Sequence, residues 1–172
     1  MFRRLLDTLY NACGALACLA MLAIVVIVVA QIVCRLFNIL IPSAGDFAGY
    51  ALVASTFLGL AYTFRRNGHI RVSIVNQRLS RKWRRRSEIY ALLVGIGILG
   101  YFTWYAGDMV WTSFDFGDVS DGLIPTPLWI PQSAILLGVL LMTVAMIDEL
   151  IVALRGQLPT YVSQEPDIFQ GE

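Results

Sequence analysis

The sequence predicts an all-α membrane protein of four transmembrane helices with both termini on the cytoplasmic side. Three observations carry this. Only 15% of the 172 residues are charged and 58% are hydrophobic, whereas a soluble chain carries about 25% charged residues. Four long intervals, residues 8–34, 47–64, 89–107 and 122–147, contain no charge, and a spanning helix needs about 20 apolar residues. The basic residues concentrate in alternate loops, which is the pattern that fixes orientation.

The first span is expected over about residues 9–34. Arg3 and Arg4 ahead of an apolar run imitate a signal peptide. The run continues far beyond the usual h-region of about 7–15 residues, so it reads as a retained anchor. Cys13, Cys18 and Cys34 are the only cysteines. Cys13 and Cys18 lie roughly 140° apart around a helix. They read as small apolar helix residues, with no disulfide or metal spacing.

The second span is expected over about residues 45–64. Along it Ala51, Ser55, Gly59 and Thr63 recur every four residues. Such a small-residue stripe lets another helix approach closely. It serves either internal packing or a partner membrane protein, and the sequence leaves both open.

The loop that follows carries Arg65, Arg66, Arg71, Arg78, Arg81, Lys82, Arg84, Arg85 and Arg86. As a helix, Val72, Val75, Leu79 and Trp83 fall within about 80° of each other, with Arg71, Arg78, Arg81, Arg84 and Arg85 on the other side. The expectation is an amphipathic interfacial arm over about residues 70–86, its basic side toward anionic membrane lipids. A solvated basic loop is the plainer alternative.

The third span is expected over about residues 88–112, because Met109, Val110 and Trp111 keep it apolar past Asp108. Gly95, Gly97 and Gly100 cluster within it. The next loop has no Lys or Arg, and Asp108, Asp115, Asp118 and Asp121 mark it as acidic. The fourth span is expected over about residues 128–150. Pro125 and Pro127 stiffen its entry, Pro131 is tolerated in its first turn, and Ala134 and Gly138 repeat the small-residue spacing. Trp111 and Trp129 suit one aromatic belt and Trp83 the other. Residues 1–158 thus form a single membrane domain. The polar stretch 159–172 reads as a poorly ordered cytoplasmic tail.

Orientation follows from the positive charges. The second loop is strongly basic, the first has only Arg35, and the third has none. Both termini and the second loop are therefore placed in the cytoplasm, and the first and third loops in the periplasm of a Gram-negative host.

Several functions are excluded by what is missing. A four-helix membrane cytochrome needs paired histidines, and His69 is the only histidine. No cysteine pair suits thiol exchange. No span carries a central charge of the sort that proton-coupled transport requires. Gln31, Ser55, Thr56, Thr63, Thr103 and Thr143 are the most polar interior side chains, and Ser and Thr in membrane helices usually bond their own backbone. No enzyme activity, cofactor, metal or nucleic-acid binding is expected.

Particular motifs carry a resemblance. Gly45-Asp46-Phe47-Ala48-Gly49-Tyr50, then Phe57-Leu58-Gly59-Leu60-Ala61, then Arg65-Arg66-Asn67-Gly68-His69-Ile70-Arg71-Val72, resemble the second helix of the small membrane subunits (DctQ-like) of TRAP, tripartite ATP-independent periplasmic, transporters. Gly68-His69-Ile70-Arg71-Val72 is the most specific element. Arg35 is similar to a family Arg at the end of the first helix, and Leu128-Trp129-Ile130-Pro131 to the start of the last. The chain departs from the family pattern at Ala44, Gly45, Ala54 and Ser73.

The resemblance implies a multi-pass inner-membrane subunit in a stable heterodimer with a large membrane subunit. That large subunit carries the substrate and sodium sites and works as an elevator. A periplasmic solute-binding protein delivers the solute, commonly an organic acid, in a transient complex. The small subunit would be a scaffold, and Arg35, Asp46, Gly59, Gly68, His69 and Pro131 would be its motif residues. For His69, capping of a helix end and contact with a partner loop both stand. Arg35 is placed to snorkel to the interface, and its pairing with Asp46 is left open. The acidic loop is either the residue of excluding positive charge or a docking surface for the binding protein's basic face. The competing reading from another class is an autonomous homo-oligomeric channel or exporter, which would need a polar pore stripe.

Overall fold

The computed structural model describes residues 2–66 and 81–155. Four helices account for most of them: α1 Phe2–Leu36, α2 Ala44–Arg65, α3 Arg81–Asp115 and α4 Trp129–Leu154. Each includes a stretch long and apolar enough to cross a membrane. α1 and α3 run past the charge-free intervals at their ends, because a charge ends an apolar stretch without ending a helix.

The arm expected over about residues 70–86 lies mostly outside the described residues, including Val72, Val75 and Leu79. Of that stretch, Arg81–Arg86 are the opening turns of α3. No Gly or Pro interrupts the chain between Arg81 and Val94, so good helix formers carry the helix from the basic segment straight into the span. The tail expected over 159–172 also lies outside the described residues.

Both exits from the helices at the acidic end use the same device. Ile39 N–H donates to Cys34 O at 2.9 Å and Asn38 N–H to Arg35 O at 3.1 Å, with Asn38 at φ 56°. Asp118 N–H donates to Ser113 O at 3.0 Å and Gly117 N–H to Phe114 O at 3.4 Å, with Gly117 at φ 65°. These are paired Schellman bonds closed by a left-handed residue, and Gly and Asn are the residues that tolerate that conformation. α4 starts without strain at Pro131, because the first intrahelical donor is Gln132, bonded to Leu128 O at 3.2 Å.

The packing order is α1, α2, α4, α3. It is an open succession of neighbours, and α1 and α3 at its two ends share no extensive contact. Small residues set each junction. At the first, a side chain at Gly14 would strike the ring of Tyr62, and Gly59 faces Ala17. At the second, a Cβ at Gly138 would fall on the backbone carbonyl of Phe57, so α2 and α4 approach backbone to backbone. At the third, Gly95 receives Met146, Gly107 faces Leu136, and Thr103 Oγ1 lies 3.2 Å from Thr143 Oγ1.

The buried core sits toward the end bearing the α1 N-terminus. It joins Leu6 and Tyr10 of α1, Ala61 and Phe64 of α2, Leu92 of α3, and Met142, Ala145 and Ala153 of α4. The most apolar stretch of α1 is not buried by the other described residues. Lipid or another protein must cover it, since apolar side chains on a spanning helix belong in a nonaqueous environment.

Candidate functional site

The strongest polar feature is a charged knot built on Arg65, the last residue of α2. Its Nε lies 3.2 Å from Asp7 Oδ1 of α1. Its Nη1 lies 3.2 Å from Asp148 Oδ2 and 2.8 Å from Glu149 Oε1, both of α4. One guanidinium thereby fastens three helices. The Glu149 side chain is 2% exposed, that of Arg65 16% and that of Asp7 49%, so the knot grades from the interior to the surface. A planar fork with several donors suits this geometry better than an ammonium. Tyr10, buried in the same region, has a hydroxyl with no hydrogen-bond partner among the described residues.

A second tie lies nearby. Arg85 of α3 donates from Nε to Ala153 O at 3.2 Å and from Nη2 to Leu154 O at 3.0 Å. It satisfies carbonyls that the end of α4 leaves open and sets a cation at that helix's negative pole. The two arginines lock α1, α2, α3 and α4 together at their basic ends.

The opposite end is held by the loop between α3 and α4. Val119 and Pro127 form an isolated antiparallel bridge. Ser120 N–H donates to Thr126 O, and Thr126 N–H returns to Ser120 Oγ. The loop then docks on the start of α2: Ile124 N–H donates to Ser43 Oγ at 2.9 Å, and Gly122 presses so near that a Cβ there would meet the Asp46 carboxylate. Asp115, Asp118 and Asp121 remain exposed on this face, with Phe116 and Leu123 beside them. Asp108 is separate from them, well inside α3.

The other expected residues fall as follows. Arg35 closes α1 in its last turn and is exposed. Among the described residues it makes no ion pair with Asp46, which lies in the first turn of α2 against the loop. In the stripe, Gly59 faces Ala17 while Thr63 is exposed and bonds Gly59 O and Leu60 O. Ser55 bonds Leu52 O; Ala51 lies on the same helix. Trp83 is exposed in the opening of α3, with the Arg86 guanidinium 5.5 Å from its ring. Gly68 and His69 lie outside the described residues.

The sequence reading missed the knot. Asp7 and Asp148 bound apolar intervals there, and Arg65 counts only as a basic-loop and motif residue. One signal was available: acidic residues at the same membrane face as the basic loop, where the charge bias gives them no purpose unless paired.

Arg65 opens the motif that suggested the small-subunit resemblance, and the structure makes it the residue that joins three helices. Residues 24–156 match the family described as tripartite ATP-independent periplasmic transporters, DctQ component. The chain belongs to the DctQ family. No curated protein matches it. Membership makes it a multi-pass membrane protein and a small permease component of a TRAP transporter, a family of transporter components rather than enzymes. TRAP systems of this family also contain a large membrane subunit and a periplasmic binding protein.

Proposed function

We propose that this DctQ-family chain is a static scaffold of the bacterial inner membrane. It holds a large elevator-type subunit during ion-coupled uptake of a small organic solute, a carboxylate by family analogy, delivered by a periplasmic binding protein. The observation that carries this reading is the open packing order fastened at both ends. The Arg65 knot and Arg85 tie the basic ends, and the α3–α4 loop ties the acidic ends. Between them, α1 keeps an apolar flank that the described residues leave uncovered.

A moving carrier subunit needs a partner that does not move with it. Helices locked by ion pairs at one end and a docked loop at the other suit that task. The span interiors support the same division of labour: the threonine hydroxyls between α3 and α4 bond their own helices, Thr103 to Leu99 O and Thr143 to Val139 O. They offer no row of free polar groups for an ion, as an autonomous channel or exporter would require. The basic loop and both termini sit in the cytoplasm on this reading.

The test is co-purification. The tagged chain is extracted in mild detergent and its companions identified. A stoichiometric large permease supports the scaffold. A clean homo-oligomer without a polytopic partner overturns it in favour of the channel or exporter.

A further inference from the structure

Along α3, where it meets α4, runs a groove of about 470 Å³. It is lined by Gly100, Thr103, Trp104, Gly107, Asp108 and Trp111 of α3 and by Thr143 of α4. A side chain at Gly100 would meet nothing within 4 Å. The groove therefore exists because glycine leaves the helix backbone bare there. Trp104 and Trp111 are 76% and 69% exposed. Among the described residues Asp108 forms no ion pair or hydrogen bond.

The placement in the span is informative. Gly100 is the midpoint of the apolar stretch Arg85–Asp115. At about 1.5 Å per residue, Trp111 lies roughly 16 Å from it along the axis and Asp108 about 12 Å. Half of a hydrocarbon core is about 15 Å. The groove therefore runs from the bilayer midplane to the headgroup boundary. Its carboxylate sits just inside that boundary, and an indole marks the boundary itself, where Trp side chains prefer to lie.

We infer that this groove binds one phospholipid of the leaflet at the C-terminal end of α3, an aminophospholipid of the phosphatidylethanolamine class. An acyl chain lies over the bared backbone at Gly100, between the two indoles. The ammonium of the headgroup pairs with the Asp108 carboxylate. The lining hydroxyls are satisfied within the protein, since Thr103 and Thr143 contact each other and the carbonyls of their own helices, so they are apolar to a ligand. A spanning protein helix fits less well: it would need a contact surface about twice as long as one leaflet. A carboxylate at the edge of the apolar layer calls for a cation, and the ammonium headgroup supplies one at the right depth.

Native mass spectrometry of the full chain in mild detergent tests this, with phosphatidylethanolamine or phosphatidylglycerol of identical acyl chains added. Retention of the ethanolamine lipid is expected to be about three- to fivefold higher, the ratio an ion pair at a half-exposed site supports. Asp108→Asn, nearly isosteric and on an exposed side chain, is expected to abolish the preference. Gly100→Leu is expected to reduce retention of both lipids. Equal retention by the wild-type chain, or a preference that survives Asp108→Asn, overturns the inference. So does loss of the Asp108-dependent preference when the chain is measured together with its co-purified membrane partner, because protein then covers the groove. Transport is not read in any arm, so this result stands apart from the scaffold reading.

Discussion

Arg65 Nη1 reaches Glu149 Oε1 at 2.8 Å, across the junction of α2 and α4, with Glu149 almost wholly withdrawn from solvent. The same nitrogen reaches Asp148, and Nε of the same side chain reaches Asp7. Removing the guanidinium takes the Arg65 charge away from a buried carboxylate and from two others beside it.

Arg65→Ala is therefore expected to cost about 3–5 kcal/mol. Melting of the detergent-solubilised protein would read it. Arg65→Lys should recover only part, since an ammonium is a compact point charge without the planar, spread donors of a guanidinium. In a double-mutant cycle Arg65 and Glu149 should couple by about 1–3 kcal/mol. A melting curve for Arg65→Ala that overlays the wild type would remove the knot from the account.

Tyr10→Phe should behave in the opposite sense. It deletes a buried hydroxyl that lacks a partner among the described residues and keeps the ring in the core. Stability should be unchanged or should rise by about 1 kcal/mol. A clear loss in the same melting measurement would mean that the hydroxyl is in fact bonded.

Gly138 and Gly97 make a matched pair. A Cβ at Gly138 would overlap the Phe57 carbonyl, while one at Gly97 meets nothing within 4 Å. Gly138→Ala should destabilise by about 1–3 kcal/mol, and Gly97→Ala should stay within about 0.5 kcal/mol. Equal effects would contradict the close approach of α2 and α4.

The docked loop can be tested by hydrogen exchange. Ser43→Ala removes the acceptor for Ile124 N–H, and exchange across 118–128 should quicken by the factor expected for losing about 0.5–1.5 kcal/mol. Unaltered protection would show that the hydrogen bond contributes nothing to docking.

Orientation is open to labelling. In a background with Cys13, Cys18 and Cys34 replaced by Ala, Asp121→Cys should react with a membrane-impermeant maleimide on intact cells. Arg86→Cys should react only after lysis. The reverse pattern would invert the proposed topology.

The sequence disclosed the helices far better than their azimuths. Four apolar stretches need no partner to be recognised, because the bilayer imposes their length. Whether Asp7, Arg65 and Asp148 converge depends on rotation about three axes, and a one-dimensional charge pattern holds no such information. Glu149 is illegible for the same reason: nothing along the chain distinguishes it from any charge at the edge of a span. Gly138 was legible as a small residue, yet nothing along the chain names Phe57 as what approaches it. The turns at Asn38 and Gly117 carry the residue types that left-handed caps favour, but those residues also occur in ordinary loops.

The order α1, α2, α4, α3 has a consequence for biogenesis. Each sequential pair, α1 with α2 and α3 with α4, is its own helical hairpin and can enter the bilayer as soon as it is synthesised. Among the described residues the α2–α4 seam is the extensive helix contact between the sequence-distant halves, and there Gly138 meets Phe57 and Arg65 meets Glu149. Two inserted hairpins then have to dock laterally, and the ion pairs of Arg65 with Asp148 and Glu149 serve as a clasp that keeps the halves from drifting apart in the plane of the membrane.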